Sequence, residues 1–171
     1  MASTIWRKQF TPLHCLIKTS VAGGATLHMT DEGYPRIAFP LQASGDIGVV
    51  LPIGILAELY AELGLKVRVR LYANETGKSH QFGVRFMAKR PGSDGGTEAF
   101  NATETLFTET ALPATAGEIH DLEVTVPIGT ALDNAQLDDS LYMLLTLKYD
   151  TGRTSSESML IEQVETWQEL P

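Results

Sequence analysis

The chain has 171 residues, of which 43% are hydrophobic and 20% are charged, a size and composition typical of one globular domain or of one domain with an arm. Its 21 Asp and Glu residues outnumber its 13 Lys and Arg residues, giving a formal net charge of −8, which disfavours binding to nucleic acid or to an anionic membrane because both require phosphate neutralisation. We expect neither a signal peptide nor a membrane-spanning segment, since the first ten residues lack an apolar core and no run approaches about 20 apolar residues.

Residues 1–34 contain only short apolar runs and two glycine-bearing stretches, at 23–24 and 31–33. We interpret this segment as an extended arm or as peripheral strands, and we assign the main domain to residues 35–171. An arm of this kind commonly docks on a neighbouring subunit, where aromatic and basic side chains are the usual anchors. The candidate partner contacts are therefore Trp6, Arg7, Lys8, Phe10, Lys18 and Tyr34.

One segment favours a helix. Residues 55–63 read ILAELYAEL, in which Ala, Leu and Glu have high helix propensity and Leu56, Leu59, Tyr60 and Leu63 would share a face. Gly64 would end the helix.

Alternation of apolar with charged residues predicts a half-buried strand over residues 65–73, with Lys66, Arg68 and Arg70 on its outer face. These cations form either a basic patch on an acidic body or the solvated face of an exposed sheet. A second alternating run covers residues 82–89 and follows a turn-like stretch at 74–77. We predict that the two strands form an antiparallel pair.

The following segments also have strand character. Residues 100–110 are rich in threonine and predict one strand, and Leu122, Val124 and Val126 mark another that ends at Pro127. Residues 131–139 are expected to form a loop or a short helical turn.

The last two strands are predicted at residues 141–149 and 159–167. The first is apolar on both faces near its start, which predicts a central position in its sheet. In the second, Ile161, Val164 and Trp167 have a spacing that also suits a helix, but we favour a strand. Trp167 is expected to cap the end of the core, with a partner anchor as the alternative.

These elements predict an all-β protein, built as an antiparallel two-sheet sandwich of jelly-roll type with one short helix and an N-terminal arm. The predicted strands are short. Strands do not alternate with helices along the chain, so the sequence gives no indication of a parallel sheet.

Sequence motifs for chemistry are weak throughout the chain. A Gly77-Lys-Ser79 run lacks the earlier glycine of a phosphate-binding loop and precedes a predicted strand. Cys15 is the only cysteine, so no internal disulfide can form, which fits a reducing cytoplasm. Its apolar surroundings do not suggest an activated thiolate. We expect no catalytic residue and no cofactor.

Metal sites are equally weak in the sequence. The four histidines, at 14, 28, 80 and 120, lie in separate segments without ligand spacing. A site assembled only by tertiary folding stays open. Asp133, Asp138 and Asp139 could supply oxygen ligands to Ca²⁺, but they lack the EF-hand pattern, and we interpret them as an acidic loop tip.

Five runs together resemble the jelly-roll virion proteins of tailed bacteriophages: Val49–Pro52, Gly64–Ala73, Gln81–Phe86, Leu141–Asp150 and Leu160–Val164. The resemblance covers residues 47–167. It departs from the family where Tyr72 and Phe86 replace common tryptophans and Tyr149 replaces an arginine.

The resemblance implies a non-enzymatic virion protein assembled in the host cytoplasm, without shared catalytic residues. Its foremost implication is a capsid decoration (cement) protein, a homotrimer that binds the major capsid protein on the outer capsid surface and stabilises the head. The alternative is a tail or fibre module that recognises a host glycan or receptor. A third class, a cupin-like metalloenzyme, is disfavoured by the histidine spacing.

Overall fold

The computed structural model describes residues 3–10, 16–17, 26–29, 35–39, 47–55, 60, 63–73, 76–77, 79–93, 99–148 and 159–170. Their strands are β1 (Ser3–Phe10), β2 (Leu16–Ile17), β3 (Thr26–Met29), β4 (Pro35–Phe39), β5 (Ile47–Ile55), β6 (Leu65–Ala73), β7 (Ser79–His80), β8 (Phe82–Lys89), β9 (Thr105–Leu106), β10 (Thr110–Ala111), β11 (His120–Val126), β12 (Ser140–Leu147) and β13 (Met159–Leu170). A 3₁₀ helix covers Thr130–Leu132.

The described strands form two main antiparallel sheets. A six-stranded sheet has the order β11-β6-β13-β4-β3, with β1 also paired to β13, and a five-stranded sheet has the order β2-β5-β12-β8-β9. The short strands β7 and β10 pair separately. Side chains from both main sheets share one hydrophobic core. The chain is therefore the predicted all-β, antiparallel two-sheet sandwich.

The core follows from the alternation in the sequence. Val67 and Val69 of β6 and Val84 and Phe86 of β8 belong to this core, and all four side chains are fully buried. Phe82 contributes edge-to-face contacts with two further phenylalanines, at ring-centroid distances of 6.0 and 6.3 Å. Because alternate residues of a strand point to opposite faces, the charged residues of β6 must lie on the outer surface.

The predicted pairing of 65–73 with 82–89 is wrong. β6 lies between β11 and β13, whereas β8 lies between β12 and β9 in the other sheet. Alternation specifies which face of a strand is buried but not which strand is its neighbour. The two segments therefore belong to different sheets, and both contribute side chains to the shared core.

The later segments largely follow the predictions. β12 is central, between β5 and β8, and β11 and the short helical turn lie where expected. The single strand predicted over 100–110 is wrong, because that segment contains only the two-residue strands β9 and β10 at 105–106 and 110–111. β-branched residues favour extended backbone but do not ensure a long ladder.

A β-bulge at Glu162 explains the ambiguous spacing near the C-terminus. In the β13–β6 register Ile161 opposes Leu71 and Gln163 opposes Arg70, which leaves Glu162 as the extra residue. Such an extra residue shifts the alternation by one position, so every later residue of the strand points to the opposite face from the one expected without the bulge. Val164 is therefore in the core, although it lies three residues after Ile161. The helical alternative for this segment is wrong.

The same bulge places Trp167 on the outer face of the six-stranded sheet, and not at the end of the core as expected. Its neighbours Thr166 and Gln168 are fully buried on the core side, where they continue the alternation from Val164. Trp167 itself is 1% exposed.

The helix predicted over 55–63 falls mostly outside the described residues. Ile55 ends β5, and the backbone N–H of Leu63 donates to the carbonyl of Tyr60 at 3.2 Å. Gly64 has a φ of +68°, and a Cβ atom there would lie 2.7 Å from the Thr125 side chain. The turn into β6 therefore requires glycine at this position.

The segment 1–34 supplies strands to both sheets. β1 pairs with β13, β2 with β5 and β3 with β4. The N-terminal strand thus lies beside the C-terminal one.

Deletion of Glu162 should abolish cooperative folding. Without the bulge, Val164, Thr166 and Gln168 would face solvent, and Glu165 and Trp167, which lie between them, would face the core, at a cost of more than about 4 kcal/mol. The matched control, Glu162→Ala, keeps the register and should lose only the ion pair of that side chain. Urea unfolding followed by circular dichroism would compare both variants with the parent. A cooperative transition of parental midpoint in the deletion variant would contradict the role of the bulge.

Candidate functional site

The outer face of the six-stranded sheet carries a network of cross-strand ion pairs, here called the ion-pair ladder. Strand register sets each cation of β6 opposite or diagonal to carboxylates of β11 and β13. The nitrogen-to-oxygen distances are 2.8 Å for Lys66–Glu169, 3.7 Å for Lys66–Glu123, 3.1 Å for Arg68–Glu123, 3.4 Å for Arg68–Glu165 and 2.8 Å for Arg70–Asp121. The three cations of β6 are therefore neutralised within the chain, and this face is not a basic patch.

The indole of Trp167 lies beneath this ladder. The Arg68 guanidinium is 4.9 Å from the ring centroid and the Lys66 ammonium is 5.8 Å from it. Cations at these distances interact favourably with the aromatic face. Because the ring is covered, it is not free to stack on a ligand.

A groove of about 270 Å³ opens at the Arg70 end of the ladder. Its lining residues, which we call the groove residues, are Arg70, Ile119, His120, Asp121 and Glu162. They come from β6, from the start of β11 and the residue before it, and from the bulge of β13. A bulge commonly re-aims a side chain next to a functional site, and here it supplies the carboxylate of Glu162.

Arg70 and Asp121 form a bidentate pair in the groove. Arg70 donates from Nε and Nη2 to the two carboxylate oxygens of Asp121, at 2.8 and 2.9 Å. These hydrogen bonds hold the pKa of Asp121 below its ordinary value and raise the pKa of Arg70. The planes of both side chains are thereby fixed, and the two side chains are 45% and 35% exposed.

Glu162 lines the groove, but its ion-pair partner is not one of the groove residues. It accepts a hydrogen bond from Arg36 at 3.0 Å, and the Arg36 guanidinium stacks 4.5 Å from the ring centroid of Tyr72 and donates to its hydroxyl. Among the groove residues and their direct ion-pair partners, the two cations Arg70 and Arg36 thus balance the two carboxylates Asp121 and Glu162. Ile119, whose side chain is 52% exposed, adds an apolar surface.

His120 has a second contact on the core side. Its Nε2 lies 3.4 Å from Nε2 of His80, and the two ring centroids are 5.2 Å apart. Burial lowers the pKa of His120, against smaller opposing effects from Glu118 and Asp121. His120 and Asp121 point to opposite faces, as expected for neighbours in a strand.

The acidic residues near 133–139 are engaged in local structure. Asp133 accepts hydrogen bonds from the Ala88 backbone at 2.9 Å and from Asn101 at 3.3 Å. Asp139 is fully buried, pairs with Arg90 and accepts from the Gln136 backbone at 2.8 Å. Within the described part of the chain, no group of three or more His, Cys, Asp and Glu residues could hold a metal ion.

The outer face of the five-stranded sheet carries both buried side chains and a partly exposed one, Arg85, which is 37% exposed. Leu144, Met87 and Thr146 lie on that face and are at most 9% exposed. The carboxylate of Glu104 lies over Gly83 and bonds to Lys148 at 2.9 Å.

The structure places the predicted partner contacts as follows. Trp6, Arg7, Lys8 and Phe10 lie on β1, in register with residues 164–168 of β13. Lys18 and Tyr34 lie outside the described residues. Ser79 of the Gly-Lys-Ser run begins strand β7 and not a helix.

The sequence did not indicate the groove residues as a set. They are distant along the chain and meet only through the β6–β11 register and the bulge. The alternation in 65–73 and 120–126 was the available signal for Arg70 and Asp121, and no pattern indicated Glu162.

No family model and no curated protein matches this sequence. Solved structures share its fold. The CBM22-2 xylan-binding domain from Paenibacillus barcinonensis is 10% identical, with 95% of this chain and 98% of that one covered and a TM-score of 0.56. The xylan-binding module CBM15 is 16% identical, with 95% and 96% covered and a TM-score of 0.51.

A larger enzyme also contains this fold. The CBM22-1–GH10 part of a Clostridium thermocellum endo-1,4-β-D-xylanase, complexed with xylohexaose, is 14% identical with a TM-score of 0.56, and the alignment covers 98% of this chain but 29% of the xylanase. These likenesses show that the chain has the β-sandwich fold of carbohydrate-binding modules. In the described residues no helix is both long and apolar enough to cross a membrane.

Asp121→Asn should lower the free energy of unfolding by less than about 1 kcal/mol at pH 7, because the pair is partly exposed and screened. The folded-state pKa of Asp121 lies below its unfolded value, so the pair stabilises the protein above the unfolded pKa and this stabilisation is lost as the pH falls through the folded one. The difference between parent and variant should therefore shrink between pH 7 and pH 3 in urea unfolding. A difference that grows on acidification would contradict this sign.

Proposed function

We propose that the protein is a non-enzymatic carbohydrate-binding sandwich that holds a neutral, hydroxyl-rich sugar in the groove. The observation that carries this proposal is the charge-balanced set of planar polar side chains around an exposed apolar one. In the bidentate pair Arg70 uses two of its five donors, and Asp121 uses two of its four acceptor sites. Sugar hydroxyls both donate and accept, so they can bind the remaining groups of both residues.

Charge balance favours a neutral ligand. Arg70 is paired with Asp121, and Glu162 is paired with Arg36. An anionic or cationic ligand would have to compete with one of these partners, at the cost of leaving the other charge unpaired. A neutral ligand leaves both pairs intact.

Aromatic stacking has a small part in this proposal. Arg36 covers one face of Tyr72, and Trp167 is buried. The apolar contact with a sugar ring would come from Ile119, and orientation would come from hydrogen bonds. The volume of about 270 Å³ suits a small ligand or one portion of a longer chain.

The comparisons support the same class. Two modules whose full length aligns with this chain are xylan-binding. The resemblance to phage virion proteins is compatible with such a module in a tail or fibre, where it would recognise a host glycan. No residue arrangement among the described groove side chains requires a catalytic role.

The test is binding of neutral oligosaccharides, beginning with xylohexaose and a glycan array, followed by calorimetry on variants. Arg70→Ala and Asp121→Ala should each weaken binding roughly tenfold or more, since each removes hydrogen bonds to a charged group. Glu123→Ala is the matched control. Glu123 lies on the same strand and the same face as Asp121 and belongs to the ion-pair ladder, but it does not line the groove. Equal losses in the control, binding of acidic glycans only, or no binding by the parent would each contradict the proposal.

Capsid decoration is a second candidate, and the sequence resemblance over residues 47–167 favours it. In that role the protein would be a homotrimer that binds the major capsid protein, with the N-terminal segment among its contacts. Light scattering would measure the mass of the protein in solution, and co-sedimentation would test attachment to undecorated phage capsids. A trimer that sediments with capsids supports this role, whereas a monomer that stays in the supernatant contradicts it.

A further inference from the structure

The sandwich brings together two histidines that are 40 residues apart. His80 ends β7, in the small two-stranded sheet, and His120 begins β11, the edge strand of the six-stranded sheet. His80 is 2% exposed and also contacts the Phe82 ring edge-to-face at 5.9 Å between centroids. Packing therefore fixes the orientation of at least one imidazole.

The separation of the two nitrogens is long for a direct hydrogen bond. Nitrogen-to-acceptor distances are typically about 2.7–3.2 Å, whereas the two Nε2 atoms are 3.4 Å apart. A linear contact with both ring axes aligned would put the centroids about 5.7 Å apart, given about 1.15 Å from each Nε2 to its ring centre. The observed 5.2 Å is shorter, so the ring axes are not collinear.

Both distances match two ligands of one tetrahedral ion. With Zn–N bonds of about 2.0–2.1 Å, two ligand nitrogens at a tetrahedral angle lie about 3.3–3.4 Å apart, and the ring centroids lie about 5.2 Å apart. The structure shows 3.4 and 5.2 Å. The pair therefore has the spacing of a metal site before any metal binds.

We propose that His80 and His120 bind a divalent transition metal such as Zn²⁺ through their Nε2 atoms, with the remaining positions filled by water. Imidazole is a good ligand for this class of ion, and metal binding requires its neutral form. The metal would join the small two-stranded sheet to the edge of the six-stranded sheet. The proposed metal site and the proposed sugar site bind different ligands. They share one residue, because His120 also lines the groove.

The experiment is titration of the full chain with Zn²⁺ by calorimetry and with Co²⁺ by visible absorption, after treatment with a chelator. All samples carry Cys15→Ser, so that no thiolate contributes. His120→Gln should weaken Zn²⁺ binding at least tenfold, whereas His28→Gln, which alters a histidine of β3, should leave it unchanged. Zn²⁺ should also raise the melting temperature of the parent but not that of His120→Gln, because only the parent gains binding energy in the folded state.

A measurement on the unsubstituted histidines covers the case in which His120→Gln fails to fold. Two-bond ¹H–¹⁵N spectra would follow the ring nitrogens during Zn²⁺ addition. Shifts of Nε2 in His80 and His120, without shifts in His14 and His28, support the site. No binding up to about 1 mM Zn²⁺, binding retained in His120→Gln, or shifts at the other histidines would overturn it.

Discussion

The bulge at Glu162 is the constraint on which the outer surface of this sandwich depends. It adds one residue to β13 between Ile161 and Gln163 and reverses the facing of every later residue of that strand. The carboxylates of Glu165 and Glu169 consequently meet the cations of β6 on the outer surface. The bulged residue itself reaches the groove.

Electrostatics and packing both favour the register that the bulge sets for β13. The core side of β13 receives Val164 and two fully buried polar side chains, while the outer side receives the carboxylates and Trp167. Each exposed ion pair contributes little alone, but the ladder discriminates against registers that would place like charges opposite one another. In the same arrangement Arg70 and Glu162 each have an ion-pair partner within the chain, which is the basis of the proposal that the groove takes a neutral ligand.

Local sequence pattern was sufficient for the fold class and for most strand positions. The alternation in β6 and β11 and the apolar faces of β12 correctly predicted a two-sheet sandwich with β12 at the centre. That pattern could not predict which strands pair, since β6 would show the same alternation whether it paired with β8 or with β13. The pattern could not predict the bulge either, because one extra residue gives Ile161 and Val164 a spacing that resembles a helix.

The groove was beyond prediction for the same reason. Its residues come from three strands and meet through register, and the histidine pair meets through the packing of a two-residue strand against a sheet edge. Histidine spacing along the chain therefore gave no sign of the 3.4 Å contact. Sites of this kind depend on long-range pairing, which a local pattern does not specify.

The most direct test of the account is a ¹H–¹⁵N titration of the protein with the neutral oligosaccharide that binds best on the array. We predict that the largest amide shifts lie at Arg70, at residues 119–121 and at Glu162, where register and bulge together build the groove. Shifts centred on the outer face of the five-stranded sheet, around Leu144 and Met87, would contradict the account.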